Sequence, residues 1–423
     1  MGKKRSKKGP SEDDWEGSIA SDNTAASLMG DMKEVDDGAM DEFAEALDWT
    51  YESRGSTREK GWERLAALIR NSVREECFQN AATVTGRCQQ ALRKGSAAEA
   101  TFAATALALH VLTLGDADES LFQSLQPDLL RAAQHGKGAA ARTAAADALA
   151  VCCFVLSDDE RSTRGAMDDL RSIWARRDAA AAAPRAAALR GWTFLFTSLN
   201  ALPDAGAVEA LLPALAALLH EGDVEVRAAA GEAIAVVYHT CGLDELESIL
   251  EGEGDEEEED GEEGEDGGGE GSSSGGGGVS GLSEVVGRMR DLATNRGDRQ
   301  RRSKRDRASL RGAFRDITRV IEDGAVRETK IKLRHGDTLH INTLNGNVSM
   351  GYLRRFLAGG FQAHLQCNPL LHAVFGYEPL AERPGRLTAL EKRAFRSPSS
   401  ASSKSRTQAR KGQRAHKGFE LEH

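Results

Sequence analysis

"RTAAADALAVC", Arg142–Cys152, is one of five related stretches in the chain. The others are "REKGWERLAAL" from Arg58, "ATFAATALALH" from Ala100, "RAAALRGWTFL" from Arg185 and "RAAAGEAIAVV" from Arg227, and the five starts lie 42, 42, 43 and 42 residues apart. Each leads small residues into an apolar stripe, and four of the five open on arginine. A period near 42 with two helical patterns per unit is the signature of HEAT or armadillo repeats, whose helix pairs stack into a superhelix. Ala145, Ala146, Ala229 and Ala230 are small enough to let neighbouring helices approach, while Leu149, Val151, Ile234 and Val236 fill the core between repeats.

Local signals mark the helix starts. "STRE", Ser56–Glu59, has the form of a capping box, with Ser56 at the N-cap and Glu59 reaching back to it. Asp223 in "GDVEVR" is a second cap. Pro184 suits the first turn of a helix rather than its interior. The recurrent arginines are read as structural, each bonding a loop carbonyl or a neighbouring repeat's aspartate.

Composition divides the 423 residues. Residues 1–40 read as a disordered N-terminal arm and 41–250 as a HEAT/armadillo-like helical repeat domain. Residues 251–281, dominated by Glu, Asp, Gly and Ser, read as a disordered acidic insert. Helices follow over 282–324, the last of them arginine-rich and amphipathic; then come a small α+β module over 325–381 and a basic tail over 382–423. The expected fold class is therefore mainly α: an α-solenoid, a small C-terminal α+β module and a basic tail.

Net charge is −11, but from Leu282 onward 29 Lys and Arg face 14 Asp and Glu. The two halves thus call for partners of opposite character. In the basic half, Leu282, Val285, Val286, Met289 and Leu292 make one helical stripe. Next, Leu310, Phe314, Ile317 and Ile321 share one helix face, and Arg307, Arg311, Arg315 and Arg319 share another. Upstream, Arg299, Arg301, Arg302, Lys304 and Arg305 are too polar for a core. Guanidinium forks pair bidentately with phosphates, so this helix is a candidate nucleic-acid contact; the competing readings are a solvated face and a nuclear localisation signal in "RRSKR".

"ETKIKLRHGDTLHINT" alternates through Ile331, Leu333, Leu339 and Ile341 around His335-Gly336-Asp337, which predicts a β-hairpin. "MGYLRRFLAGG" predicts a helix stopped by Gly359 and Gly360, with another from about Asn368 to Phe375. His364 and His372 lack metal-ligand spacing and are expected on helix surfaces or at caps. The tail, "SSKSRTQARKGQRAHKG", is too polar to build a core and reads as a cationic segment for a phosphate-rich surface.

Other classes are disfavoured. The six cysteines form no CxxC pair and have no matching histidines, so buried thiols in a reducing compartment are expected. No continuous run of about 18 apolar residues is present, which argues against a membrane span. "MGKKRSKKGP" has no apolar segment and reads as a solvated basic arm or nuclear signal. GxSxG, P-loop and HExxH patterns are missing, so no catalytic residues, cofactor, metal or small-molecule substrate are expected, and the chain is read as a binding protein rather than an enzyme.

"KRDRASLRGAFRDITRVIE" from Lys304, "ETKIKL" from Glu328 and "FQAHLQCNPLLHAVF" from Phe361, set behind a helical-repeat half, resemble the interferon-related developmental regulator family. The resemblance implies two roles. Members bind translationally inactive ribosomes, occupying tRNA sites and placing a C-terminal helix near the mRNA channel; members are also linked to transcriptional co-regulation through histone deacetylase complexes. It implies a ribosome partner met through rRNA phosphates, protein partners on the solenoid surface, and cytoplasmic and nuclear residence. The residues it nominates for rRNA are Arg301, Arg302, Lys304, Arg305, Arg307, Arg311 and Arg315, with Arg406, Arg410, Lys411 and Arg414 in the tail. Arg299 joins them from the same charge run. A nuclear scaffold and an import or assembly adaptor are the alternatives.

Overall fold

Helix pairs recur through the first half of the chain, as the period requires. The computed structural model describes residues 37–176, 182–201, 203, 205–242, 279–294, 304–333 and 338–378. The N-terminal arm up to residue 36, the acidic insert through 278, the hairpin turn His335–Asp337 and the basic tail lie outside the described residues. After α1 (Asp37–Trp49), one row is formed by α2 (Gly55–Asn71), α5 (Ala97–Leu114), α7 (Ala139–Leu156), α9 (Ala182–Phe196) and α11 (Val224–Thr240), each packed on the next. Short α3 (Glu75–Gln79) leads into a second row: α4 (Ala81–Lys94), α6 (Glu119–His135), α8 (Glu160–Trp174) and α10 (Ala205–Leu218).

The rows differ in sequence because they differ in environment. α8 buries a single stripe, Ala166, Met167, Leu170, Ile173 and Trp174, as a helix covered on one side should. α7 is buried continuously from Ala145 to Cys153, and α5 from Ala106 to Thr113. A helix apolar all round must be covered on both sides. Both are also 18 residues long and apolar enough in composition to span a membrane, which corrects the impression that the chain holds no such segment; most of each is buried within the fold.

The repeats are tied by charge. Arg58 forks onto Glu99 at 2.9 and 3.0 Å and donates to the carbonyls of Glu52 and Ser53. Arg185 reaches Glu221 at 2.9 Å and the Trp174 carbonyl at 3.2 Å, while Arg142 donates to the Ala133 carbonyl at 3.3 Å. Arg58, Arg142 and Arg185 thus have structural roles, with glutamates as the acidic partners where aspartates were expected. Arg93–Asp128 at 2.6 Å and Arg190–Glu225 at 3.0 Å repeat the pattern.

Capping follows expectation at Asp223, which accepts from the amides of Glu225 and Val226. It departs at Ser56. α2 already begins at Gly55, Arg54 stands at its N-cap without a side-chain bond, and Glu59 instead accepts from Ser96 Oγ at 2.5 Å. Ser96 is the residue that caps, accepting from the Glu99 amide at the head of α5. Pro184 sits in the first turn of α9. Cys77, Cys88, Cys152 and Cys153 are buried thiols; Cys241 is half-buried and Cys367 exposed.

The array continues with α12 (Val279–Thr294) and α13 (Lys304–Asp323), which pack on each other; α13 also packs on α11. The hairpin then forms, β1 (Thr329–Lys332) antiparallel to β2 (Thr338–Ile341), with Ile331 opposite Leu339. α14 (Leu344–Leu357) turns back along the first row, touching α11, α9, α5 and α2 in turn. A 3₁₀ turn (Ala358–Gly360), α15 (Phe361–Cys367) and α16 (Pro369–Phe375) follow. This strap is the second cover that the all-apolar helices need.

Strap contacts are specific. Tyr352 stacks on Phe194 with ring centroids 4.5 Å apart. Arg70 donates to the Phe356 carbonyl at 2.9 Å, and Asn368 to the Leu112 carbonyl at 2.7 Å. His364 is fully buried with Nε2 on the Ile69 carbonyl at 2.8 Å, so the expectation of a surface or capping role is corrected. Half-buried His372 bonds the Leu365 carbonyl.

Candidate nucleic-acid interface

α13 is amphipathic in the manner its sequence requires. Leu310, Phe314 and Ile321 are buried and Ile317 is half-buried against the core. A gap in α11 receives them: a Cβ on Gly231 would stand 2.7 Å from Phe314 Cε1 and 2.9 Å from Ile317 Cδ1. Glycine is therefore what allows α13 to seat so closely, and burial of its apolar stripe fixes the outward direction of its other face.

Arg311, Arg315 and Arg319 are exposed on that face, about 6 Å apart along the axis. Lys304, Arg305 and Arg307 fall on the first turns of the same helix. Two acids of the same helix face cations from other elements: Arg290 pairs with Glu322, and Arg327 lies 3.9 Å from Asp316. The outward row is left with a positive surplus. Arg299, Arg301, Arg302, Arg406, Arg410, Lys411 and Arg414 lie outside the described residues.

A second polar cluster escapes sequence reasoning. Asp147 is buried in the alanine-rich α7, with the Tyr352 hydroxyl 3.3 Å from Oδ1. Burial pushes this carboxyl upward, and the nearby Arg355 and Arg190 guanidiniums and the Tyr352 hydrogen bond restrain the rise. Half-buried Glu232 on α11 behaves alike, raised by desolvation and held back by Arg190 and Arg355. Burial lifts the Tyr352 phenol well above its ordinary value. The available signal was a lone aspartate inside an otherwise alanine-rich helix. Among the described residues no group of three or more His, Cys, Asp and Glu is placed to hold a metal ion.

The model of the interferon-related developmental regulator family matches residues 15–322, and that of the interferon-related protein conserved region matches 368–417. The chain belongs to the interferon-related developmental regulator family. The first match ends at the close of α13 and the second takes in α16 and the tail, so both arginine-rich candidate segments lie within family regions. Similar relatives include mouse interferon-related developmental regulator 2, 26% identical over 385 residues, covering 86% of this chain and 79% of that protein. Pig and human interferon-related developmental regulator 1 are each 24% identical over 348 residues, covering 79% of this chain and 70% of theirs.

Proposed function

We propose that this chain is a ribosome-binding regulator that occupies a functional rRNA site of translationally inactive ribosomes and represses translation by steric exclusion. The observation that carries the reading is the seating of α13: Phe314 packs against Gly231, two of the helix's acids, Glu322 and Asp316, face Arg290 and Arg327, and Arg311 and Arg315 face outward. Guanidinium rows on a seated helix suit structured RNA, because each planar fork meets phosphate oxygens bidentately. Family membership supports the reading. The basic tail supplies further phosphate contacts, and the solenoid a broad docking surface. Residence is with ribosomes in the cytoplasm. A second reading, a nuclear co-regulator scaffold that binds transcription factors or deacetylase complexes, is favoured by "RRSKR" at Arg301–Arg305 as an import signal.

RNA affinity against salt separates the two. Phosphate contacts give a linear fall of log affinity with log salt, and each lost contact lowers the slope by about one. With an rRNA hairpin as probe, the Arg311→Glu/Arg315→Glu variant should bind more weakly and lose about two units of slope. An unchanged slope removes α13 from the interface and leaves the scaffold as the better account.

A further inference from the structure

At the Arg319 end of the basic row, the strap leaves part of the first helix row open. Between α9, α11, α13 and α14 lies an open cleft of about 490 Å³. Its size falls within the range of small-ligand and peptide-anchor sites. The floor is apolar, supplied by Ala228, Ile317, Val320 and Val348 among others. Four guanidiniums stand round it: Arg190, Arg327, Arg355 and Arg319, which is also the last member of the basic row. Arg190 gives Nη1 to Glu225 at 3.0 Å, but its buried Nε has no partner. Arg327 reaches Asp316 only at 3.9 Å. Among the described residues Arg319 and Arg355 make neither an ion pair nor a hydrogen bond, although Arg355 stands close enough to restrain the rise of Asp147 and Glu232.

We infer that this cleft is a docking site for an extended peptide of a partner protein, in which an Asp or Glu is flanked by aliphatic side chains. The charges select that chemistry. The guanidiniums call for an anion, and the alanine and valine floor calls for an aliphatic group beside it. Glu225, Glu232 and Asp316 also line the cleft, and Asn347 adds an amide. A phosphodiester backbone brings acceptors alone and would meet those carboxylates with repulsion. A peptide brings acceptors and N–H donors together, so it satisfies both signs. The cleft also continues a peptide-like interface already present in the fold: the adjoining stretch of the same helix row, on α9, α5 and α2, is occupied by the chain's own strap.

The test is selection from a random-peptide phage library against the full-length protein, counter-selected on Arg319→Glu/Arg355→Glu. Both arginines are exposed, so that variant should fold; Ala228→Trp, which fills the floor, is the second arm, its folding checked by its melting curve. Enriched peptides should carry an acid beside Leu, Ile or Val. Synthesised and fluorescein-labelled, they should lose about 30-fold or more in affinity on either variant and keep it on Arg311→Glu/Arg315→Glu. Three results overturn the inference: no enrichment over the counter-selecting variant, equal affinity for Ala228→Trp, or displacement of the peptide by oligouridine. The last would make the cleft part of an RNA site. Because the basic-row variant is a separate arm, failure here is distinguishable from failure of the ribosome reading.

Discussion

His364 Nε2 lies 2.8 Å from the carbonyl oxygen of Ile69, 295 positions earlier in the chain. The bond ties the strap to the second helix of the array. Close by, a Cβ on Gly360 would fall 1.7 Å from the Arg70 carbonyl oxygen, so backbone meets backbone with no room for a side chain. His364→Ala should cost about 2–4 kcal/mol, through a small cavity and an unpaired buried carbonyl. Gly360→Ala should detach the strap outright. Hydrogen exchange over 344–377 is the check: faster exchange there, with the second helix row less affected, is expected, and unchanged protection would contradict it.

Acid should loosen the array through His110. It is buried in α5 with no well-formed hydrogen bond to either ring nitrogen; burial pushes it down to about 4, and the nearby Ala81 backbone only partly restrains the fall. Between the unfolded value of about 6.5 and that value, the unfolded chain takes up a proton that the folded chain refuses. Stability is therefore complete above pH about 6.5 and falls by about 3 kcal/mol on the way to pH 4. His364, also lowered by burial, adds in the same sense. Asp147, Asp169 and Glu232 are raised by burial and act oppositely as the pH falls towards their unfolded values, so the contrast of wild type with His110→Leu isolates the imidazole. Denaturant melts from pH 7 to 4 should show a shallower decline in the variant; parallel declines would dismiss His110 as the cause.

The Arg58–Glu99 pair should behave as a buried ion pair. Glu99 has 4% side-chain exposure and Arg58 25%. Arg58→Met strands the carboxylate and should cost about 3 kcal/mol, whereas Arg58→Met/Glu99→Leu should recover most of it. A double-mutant cycle by urea melts measures the coupling; additivity of the two single costs would mean that the pair links no repeats.

Much of this was legible in the residues. The 42-residue spacing, Asp223 as a cap, the alternation around Ile331 and Leu339, and the stripe through Leu310, Phe314 and Ile321 each reflect local periodicity or local chemistry. Ser56 misled because the capping pattern is short: with the N-cap two residues earlier, at Arg54, Glu59 turned to Ser96 of the next repeat. His364 misled because nothing local shows that α15 lies beneath its own fold. The strap left an indirect trace, helices apolar on all sides, which is a demand for a second cover without a statement of which segment provides it. Arg190, Glu232 and Arg355 come together from distant positions, so their cleft has no signature in sequence order.

Seating of α13 should control RNA binding independently of charge. Gly231→Leu places a side chain where Phe314 and Ile317 lie. It should tilt or release the helix with every arginine retained, and weaken rRNA-hairpin binding about tenfold or more. Gly231→Ala should be milder. Wild-type affinity in Gly231→Leu would show that the arginines work from an unseated segment.

The most direct measurement of the central claim is sedimentation of the full-length protein in a lysate of its own cells through a sucrose gradient, at low and high salt, beside Arg311→Glu/Arg315→Glu. The account predicts that wild-type protein travels with monosomes lacking mRNA, and that both high salt and charge reversal return it to the top of the gradient. Wild-type protein that stays at the top under every condition, or a charge-reversed protein that still travels with ribosomes, contradicts it.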